Sequence, residues 1–142
     1  MNYMFLPLQR YADFNGRSRR MEYWMFVLLQ LIVFGAIMIV GGMMFGSSMP
    51  APNADGTIDP EAMNAVAAGG LGGLMIVYCL AALAFLIPTI AVMVRRFHDQ
   101  DKSGWLVLLN FVPFVGGLIV LVFMLLPGTV GPNRYGDDPK DG

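Results

Sequence analysis

Three long apolar runs limit the possible folds of this chain more than any other feature. Residues 24–44, 71–94 and 105–126 form runs of 21, 24 and 22 residues without Asp, Glu, Lys or Arg. A helix of about 20 apolar residues matches the roughly 30 Å hydrocarbon core of a bilayer. Because only 13% of all residues are charged, a soluble fold would have too few charges to cover its core. The pattern predicts an all-α membrane protein with three transmembrane helices.

The segments outside these runs are polar. Residues 1–20 carry apolar side chains near helical spacing, which predicts a short interfacial segment on the membrane surface. The connection 46–69 contains acidic residues but no Lys or Arg. The tail, residues 127–142, is rich in Gly, Pro, Asn and Asp, which indicates irregular turns. The length of 142 residues predicts a single integral membrane domain.

Basic residues are concentrated on one predicted side of the membrane. Seven of the nine Lys and Arg residues precede the first run or lie between the second and third: Arg10, Arg17, Arg19, Arg20, Arg95, Arg96 and Lys102. The positive-inside rule therefore predicts a cytoplasmic N-terminus and a cytoplasmic 95–104 loop. Three crossings then place the C-terminus outside.

The third run allows a second interpretation. Pro113, Gly116 and Gly117 lie in its middle, so the segment either spans with a bend or enters and returns as a re-entrant hairpin. The pieces on either side of Pro113 are too short to span separately. We therefore prefer one bent span.

The polar stretch 95–105, RRFHDQDKSGW, contains the only histidine of the chain. His98 with Asp99 and Asp101 has the chemistry of a zinc or acid/base site. Adjacent ligands on one short loop rarely close a metal site, however, and the sequence offers no second histidine or ligating cysteine. The sequence therefore predicts no metal, no cofactor and no catalytic residue.

Local structure is the simpler interpretation of the polar side chains. Asp99 is spaced to pair with Arg96, and Glu22 is placed to pair with Arg19 or, across the bundle, with Arg95 or Arg96. We expect a polar network formed by Glu22, His98, Asp99 and Asp101.

Three separate stretches resemble a known family: GRSRRMEYW (16–24), RRFHDQDKSGW (95–105) and GTVGPNRYGDDP (128–139). In this order they resemble the domain-of-unknown-function 805 family of small bacterial inner-membrane proteins, and the resemblance covers nearly the whole chain. It implies a multi-pass protein of the bacterial inner membrane. It implies no established activity, and it carries over no catalytic residue.

Function is predicted from the distribution of charge. We expect the inner-face cations to bind anionic lipid headgroups, at about 1 kcal/mol for each basic residue, or an acidic partner. The cations are Arg17, Arg19, Arg20, Arg95, Arg96 and Lys102. The net charge of −1 gives no electrostatic case for nucleic acid. These features favour a structural or accessory component rather than an enzyme.

Two other possibilities concern assembly. Gly42 with Gly46, and Gly69 with Gly73, have the spacing that lets membrane helices approach closely, which favours a homo-oligomer or another membrane protein as partner. The alternative function is an oligomeric channel or transporter subunit. Its pore would be lined by uncharged polar side chains, because the apolar runs contain no charged residue: Asn110, Thr89 and Tyr78.

Overall fold

The computed structural model describes residues 3–140. This part of the chain is mostly helical and forms no strand, apart from one isolated bridge between Asn133 and Gly136. It divides into two compact units, which we call the polar unit (Met1–Leu29 with Phe85–Gly142) and the apolar unit (Gln30–Ala84).

Five α-helices account for most of the described residues. They are α1 (Leu6–Gln9), α2 (Arg20–Ser47), α3 (Pro60–Val66), α4 (Gly72–Asp99) and α5 (Gly116–Leu125). A π-helical segment, Ala67–Leu71, joins α3 to α4, and a 3₁₀ helix, Gly104–Phe111, precedes α5. The start of α3 is capped, because the Asp59 side chain accepts a hydrogen bond from the Glu61 amide at 2.9 Å and proline occupies the first turn.

Two helical stretches are long and apolar enough to cross a membrane, Arg20–Ser47 and Pro60–Asp99. The most apolar windows of these stretches are only 11% and 17% buried, whereas the core helix of a soluble protein would be mostly buried. Their exposed apolar surface is the kind that lipid covers. The predicted spans 24–44 and 71–94 lie within these two stretches.

The third run, 105–126, is not one helix. It contains the 3₁₀ helix and α5, which pack against each other and are separated by a turn. At about 2.0 and 1.5 Å per residue, each is about 15 Å long, half the thickness of the hydrocarbon core. A Cβ atom at Gly116 would overlap the carbonyl oxygen of Leu109, so the two helices approach closely. The predicted three-span count is therefore not confirmed.

The apolar core of the polar unit lies beside this turn. Phe97, Val120 and Met124 are fully buried, or nearly so. Partly buried apolar side chains from the start of α2, from α4 and from both short helices pack around them: Tyr23, Trp24, Met93, Leu106, Val107, Leu109 and Phe123. The core thus attaches the 3₁₀ helix and α5 to the ends of the two long helices.

The apolar unit contains a cavity of about 670 Å³ lined almost entirely by apolar side chains. Close approach occurs at two glycines, since a Cβ at Gly41 would overlap the Leu74 side chain and one at Gly70 would meet the Phe45 ring. The Cβ positions of the four glycines predicted to pack helices, Gly42, Gly46, Gly69 and Gly73, face open space. Self-association through them stays a prediction.

Candidate functional site

Asp99, the last residue of α4, lies at the centre of a buried polar cluster. Its side chain is 1% exposed, and its Oδ1 atom lies 3.1 Å from Nε and 3.0 Å from Nη2 of Arg17. Its Oδ2 atom pairs with Arg96. Its backbone carbonyl accepts a hydrogen bond from the amide of Thr129 at 2.8 Å. Asp99 therefore joins the end of a long helix to the N-terminal segment and to the tail.

Arg17 provides the second junction of the cluster. Its Nη1 atom donates to the carbonyl of Gly131 at 2.6 Å, and its Nη2 atom donates to the carbonyl of Thr129 at 2.7 Å. The carboxylate of Asp138 lies 3.9 Å from the same guanidinium. The planar fork of an arginine presents five donors, which suits this convergence of carbonyls and carboxylates.

Arg95 attaches the N-terminal segment to α4. Its side chain is fully buried and lies 3.2 Å from the Glu22 carboxylate. It also donates to the Ser18 hydroxyl at 3.0 Å and to the carbonyl of Asp13 at 2.9 Å. In return, the Ser18 amide donates to the carbonyl of Arg95 at 3.1 Å. Of the partners predicted for Glu22, the structure selects Arg95.

Polar side chains also satisfy the last carbonyls of α5. Arg20 donates to Leu125 at 3.1 Å, Arg96 to Leu126 and Gln100 to Phe123. Cations are favourable at a helix C-terminus, where the dipole is negative. Arg96 Nε and Gln100 Oε1 are buried without a hydrogen-bond partner among the described residues. The end of α5 thus lies at the polar cluster.

His98 is held between the N-terminal segment and the tail. Its ring stacks on Tyr135 with centroids 3.8 Å apart and planes 4° apart, and its Nδ1 atom lies 3.2 Å from the carbonyl of Gly16. The Asn133 amide donates to the backbone carbonyl of His98 at 2.9 Å. These contacts give the histidine a structural role.

The three side chains considered for a metal site face different partners. Asp99 pairs with two arginines, His98 stacks on an aromatic ring, and Asp101 forms an exposed pair with Arg134 at 3.1 Å. Within residues 3–140, no group of three or more His, Cys, Asp and Glu side chains is arranged to hold a metal ion. A metal at Asp99 would have to displace Arg17 and Arg96. The acids of the expected polar network each pair with arginine: Glu22 with Arg95, Asp99 with Arg17 and Arg96, and Asp101 with Arg134. A network that joins these acids and His98 to one another stays a prediction.

The tail and the 95–104 loop form one polar surface. Asn133 is hydrogen-bonded to the backbone of His98, and Thr129 to that of Asp99, so two motifs that the sequence analysis placed on opposite sides of the membrane are in contact. The turn within 105–126, between the 3₁₀ helix and α5, allows this contact. The C-terminal residue itself lies outside the described residues.

The six cations predicted to bind lipid differ in their exposure. Arg17, Arg95 and Arg96 are buried within the cluster. Arg19 is half-buried, with Nε directed to the carbonyl of Pro139, and Lys102 is also half-buried. Arg20 is exposed. Lipid binding by these cations stays a prediction. The exposed and half-buried cations are better placed to reach a headgroup than the buried ones.

The side chains proposed for a pore make local contacts. Thr89 donates to the carbonyl of Phe85, one turn earlier on its own helix, at 2.6 Å. The Asn110 amide lies 3.7 Å from the sulfur of Met93, and the Tyr78 ring is 4.9 Å from that of Phe34. The channel alternative stays a prediction.

Two carboxylates at the edge of the cluster are held in the ionised form. The backbone amides of Lys140 and Gly131 donate to Asp138, and together with the nearby Arg17 they lower its pKa. A hydrogen bond from Arg10 is the main cause that lowers the pKa of Asp13. Both groups therefore keep their negative charge under ordinary conditions.

Several members of the cluster were missed by the sequence analysis. Ser18, Gln100 and Thr129 are isolated polar residues, and no spacing rule connects them to the arginines that they contact or adjoin. The only signal was indirect: each lies within or beside one of the three motifs. A carboxylate 82 positions away from its arginine, as in the pair of Arg17 and Asp99, leaves no local pattern.

A comparison with protein families matches residues 11–137 to the family described as "Protein of unknown function (DUF805)". The chain belongs to this family. The sequence-based recognition is thus confirmed. The matched region of this DUF805 protein includes the first two motifs and the third up to residue 137.

The DUF805 protein also resembles curated relatives from Escherichia coli strain K12. It is 40% identical to "Inner membrane protein YhaI" over 100% of its own length and 98% of the relative. It is 39% identical to "Inner membrane protein YhaH" over 99% of its length and 98% of the relative. No solved structure gives a significant match. The relatives and the two long apolar helices identify the chain as an integral inner-membrane protein.

Proposed function

We propose that this protein is a non-enzymatic accessory component of the bacterial inner membrane that binds anionic phospholipid at its cytoplasmic face. The observation that carries this proposal is the division of the cations into two groups. The buried arginines 17, 95 and 96 are matched by carboxylates inside the cluster. Arg20 and Lys102 have no carboxylate within ion-pair distance among the described residues.

Arg20 and Lys102 both lie at the C-terminal end of α5. Arg20 donates to the carbonyl of Leu125, and the Lys102 ammonium lies 5.5 Å from the centre of the Phe123 ring. Each cation keeps donors for an external acceptor. A phosphate headgroup would supply the missing counter-charge, at about 1 kcal/mol per cation.

The same proposal includes a topology with two crossings. If the tail lies on the side of the loop to which it is bonded, all nine Lys and Arg residues lie on one side of the membrane. The connection 46–69 then lies on the other side with Asp55, Asp59, Glu61 and no basic residue. Three crossings would leave two basic residues outside. The positive-inside rule therefore favours two crossings, with the N-terminal segment, loop and tail in the cytoplasm.

Paired reporters fused to the C-terminus test this topology. We expect a reporter that is active only in the cytoplasm to be active, and one that is active only outside the inner membrane to be silent. The opposite pattern would restore three crossings and would contradict the proposed topology.

Lipid binding is tested with two double variants that each remove two positive charges. Arg20→Gln with Lys102→Gln should lower the amount of anionic phospholipid that copurifies, measured by native mass spectrometry, several-fold. The control is Arg134→Gln with Lys140→Gln, which removes exposed charge from the tail and should retain the lipid. Equal lipid loss in both variants, or none in either, would contradict a site at these two cations.

Binding of lipid by all six cations named in the sequence analysis is tested with Arg95→Gln and Arg96→Gln. Because both side chains are buried, we expect a lower thermal midpoint in detergent rather than a selective loss of lipid. A folded variant that has lost its anionic lipid would instead favour lipid binding by all six cations.

A further inference from the structure

We infer that residues 104–126 form a re-entrant wedge whose tip enters the acyl-chain region of the cytoplasmic leaflet and returns to the same surface. The partner of this surface is the hydrocarbon of one leaflet. The inference rests on the proposed two-crossing topology, and it concerns how deeply the segment is inserted.

Both ends of the wedge are attached to the polar cluster. At its start, the Ser103 side chain accepts a hydrogen bond from the amide of Trp105 and caps the 3₁₀ helix. At its end, Arg20 and Arg96 bind the final carbonyls of α5. Three residues beyond the wedge, Thr129 is bonded to Asp99. The segment therefore leaves from and returns to one polar surface.

The tip presents apolar side chains that nothing in the described chain covers. Phe114 is 97% exposed and Phe111 is 80% exposed, and Val112 and Val115 beside them are also exposed. No Asp, Glu, Lys or Arg occurs between positions 103 and 133. A contiguous apolar patch of this kind marks a membrane or protein contact rather than a surface facing water.

Several backbone amides of the tip form internal hydrogen bonds, which suits insertion into hydrocarbon. The amides of Val112, Val115 and Gly116 donate to the carbonyls of Leu109, Pro113 and Val112, at 2.9, 2.9 and 3.1 Å. Pro113 has no amide hydrogen to satisfy. Non-helical backbone is costly in hydrocarbon unless its polar groups are bonded internally, and these bonds meet part of that requirement.

The dimensions of the wedge limit its depth. Each arm is about 15 Å long, so an upright wedge brings its tip to about the bilayer midplane and cannot pass through.

Two aromatic residues mark the tip and the foot of the wedge. Phe114, at the tip, has a positive φ of +67°, which is rare for a bulky residue. Trp105, at the foot of the wedge, is 78% exposed, as expected for an aromatic anchor at the headgroup level.

The test uses the full chain with Cys79→Ala, which removes its only cysteine. Single cysteines are introduced as Phe114→Cys and Phe111→Cys at the tip and as Val130→Cys in the exposed tail. A membrane-impermeant maleimide is applied to right-side-out vesicles and to inverted vesicles. A second label at each position is quenched by lipids that carry nitroxides at different depths.

We expect Val130→Cys to react only in inverted vesicles, and both tip variants to react at least ten-fold more slowly than it on either side. Tip labels should be quenched best by nitroxides near the bilayer centre. Rapid reaction of the tip in inverted vesicles would overturn the wedge and leave the topology intact. Reaction of Val130→Cys only in right-side-out vesicles would show that the tail is outside, and the proposed topology itself would fail.

Discussion

The polar unit and the apolar unit are stabilised by different interactions. In the polar unit, buried arginines and carboxylates 73 to 82 positions apart are paired at 3.0 to 3.2 Å. In the apolar unit, the contacts across elements include apolar ones, such as the rings of Phe34 and Tyr78 and the approach of Gly41 to Leu74. Charge pairs need defined partners, whereas apolar contacts adapt to small shifts. The polar unit should therefore tolerate substitution much less well.

The largest effect is expected for Asp99→Asn, because it leaves the buried Arg96 without its carboxylate partner and leaves Arg17 with only the more distant Asp138 at 3.9 Å. Removing one partner of a buried ion pair costs about 3–5 kcal/mol of unfolding free energy. Thermal unfolding in detergent measures the loss, with Asp55→Asn in an exposed turn of the apolar unit as the control. Similar midpoints for the two variants would contradict the central role of Asp99.

Gly128→Ala should have the next largest effect. A Cβ atom there would overlap the carboxylate and the carbonyl oxygen of Asp99, and neither can move without breaking its hydrogen bonds. Overpacking of this kind costs about 1–3 kcal/mol. The measurement is protease resistance of the tail, with Gly117→Ala as the control because its Cβ position is open. A protected tail in the Gly128 variant would mean that the tail packs elsewhere.

Gly41→Ala makes the matching change in the apolar unit, and we expect it to leave the stability of the protein almost unchanged. The new Cβ would overlap only the flexible side chain of Leu74, which can move. The gain in helix propensity, about 0.5–1 kcal/mol, offsets this repacking. The measurement is the thermal midpoint in detergent, taken for this variant and for Gly128→Ala. Equal losses in the two variants would remove the contrast between the two units.

A small effect is expected from pH. Folding lowers the pKa of Asp138 below its ordinary value of 3.8, so the ionised form is favoured in the folded state. This contribution is present above about pH 4 and is lost as the pH falls through the lowered pKa. The thermal midpoint of Asp138→Asn should therefore fall less than that of the wild type between pH 7 and pH 3. Parallel curves would show that Asp138 contributes nothing.

The sequence predicted the parts of the site but not their assembly. All three motifs and the pairing of Asp99 with Arg96 were identified, because motif residues and a helical spacing of three are local features. The convergence of tail and loop was only the alternative interpretation. The run 105–126 has the length and composition of a span, and only the hairpin packing at Gly116 distinguishes it from one.

By itself, the sequence determined the helical class, the two long apolar helices and the inner-membrane family, and it predicted the side on which positive charge collects. These follow from composition and from the order of residues along the chain, since lipid selects apolar length and charge selects the side. Only the tertiary structure decided that the third run turns back, that the tail meets His98 and Asp99, and that Arg17, Arg95 and Arg96 are buried. These outcomes depend on close packing and on ion pairs between distant residues, whose energies exist only once the chain has folded.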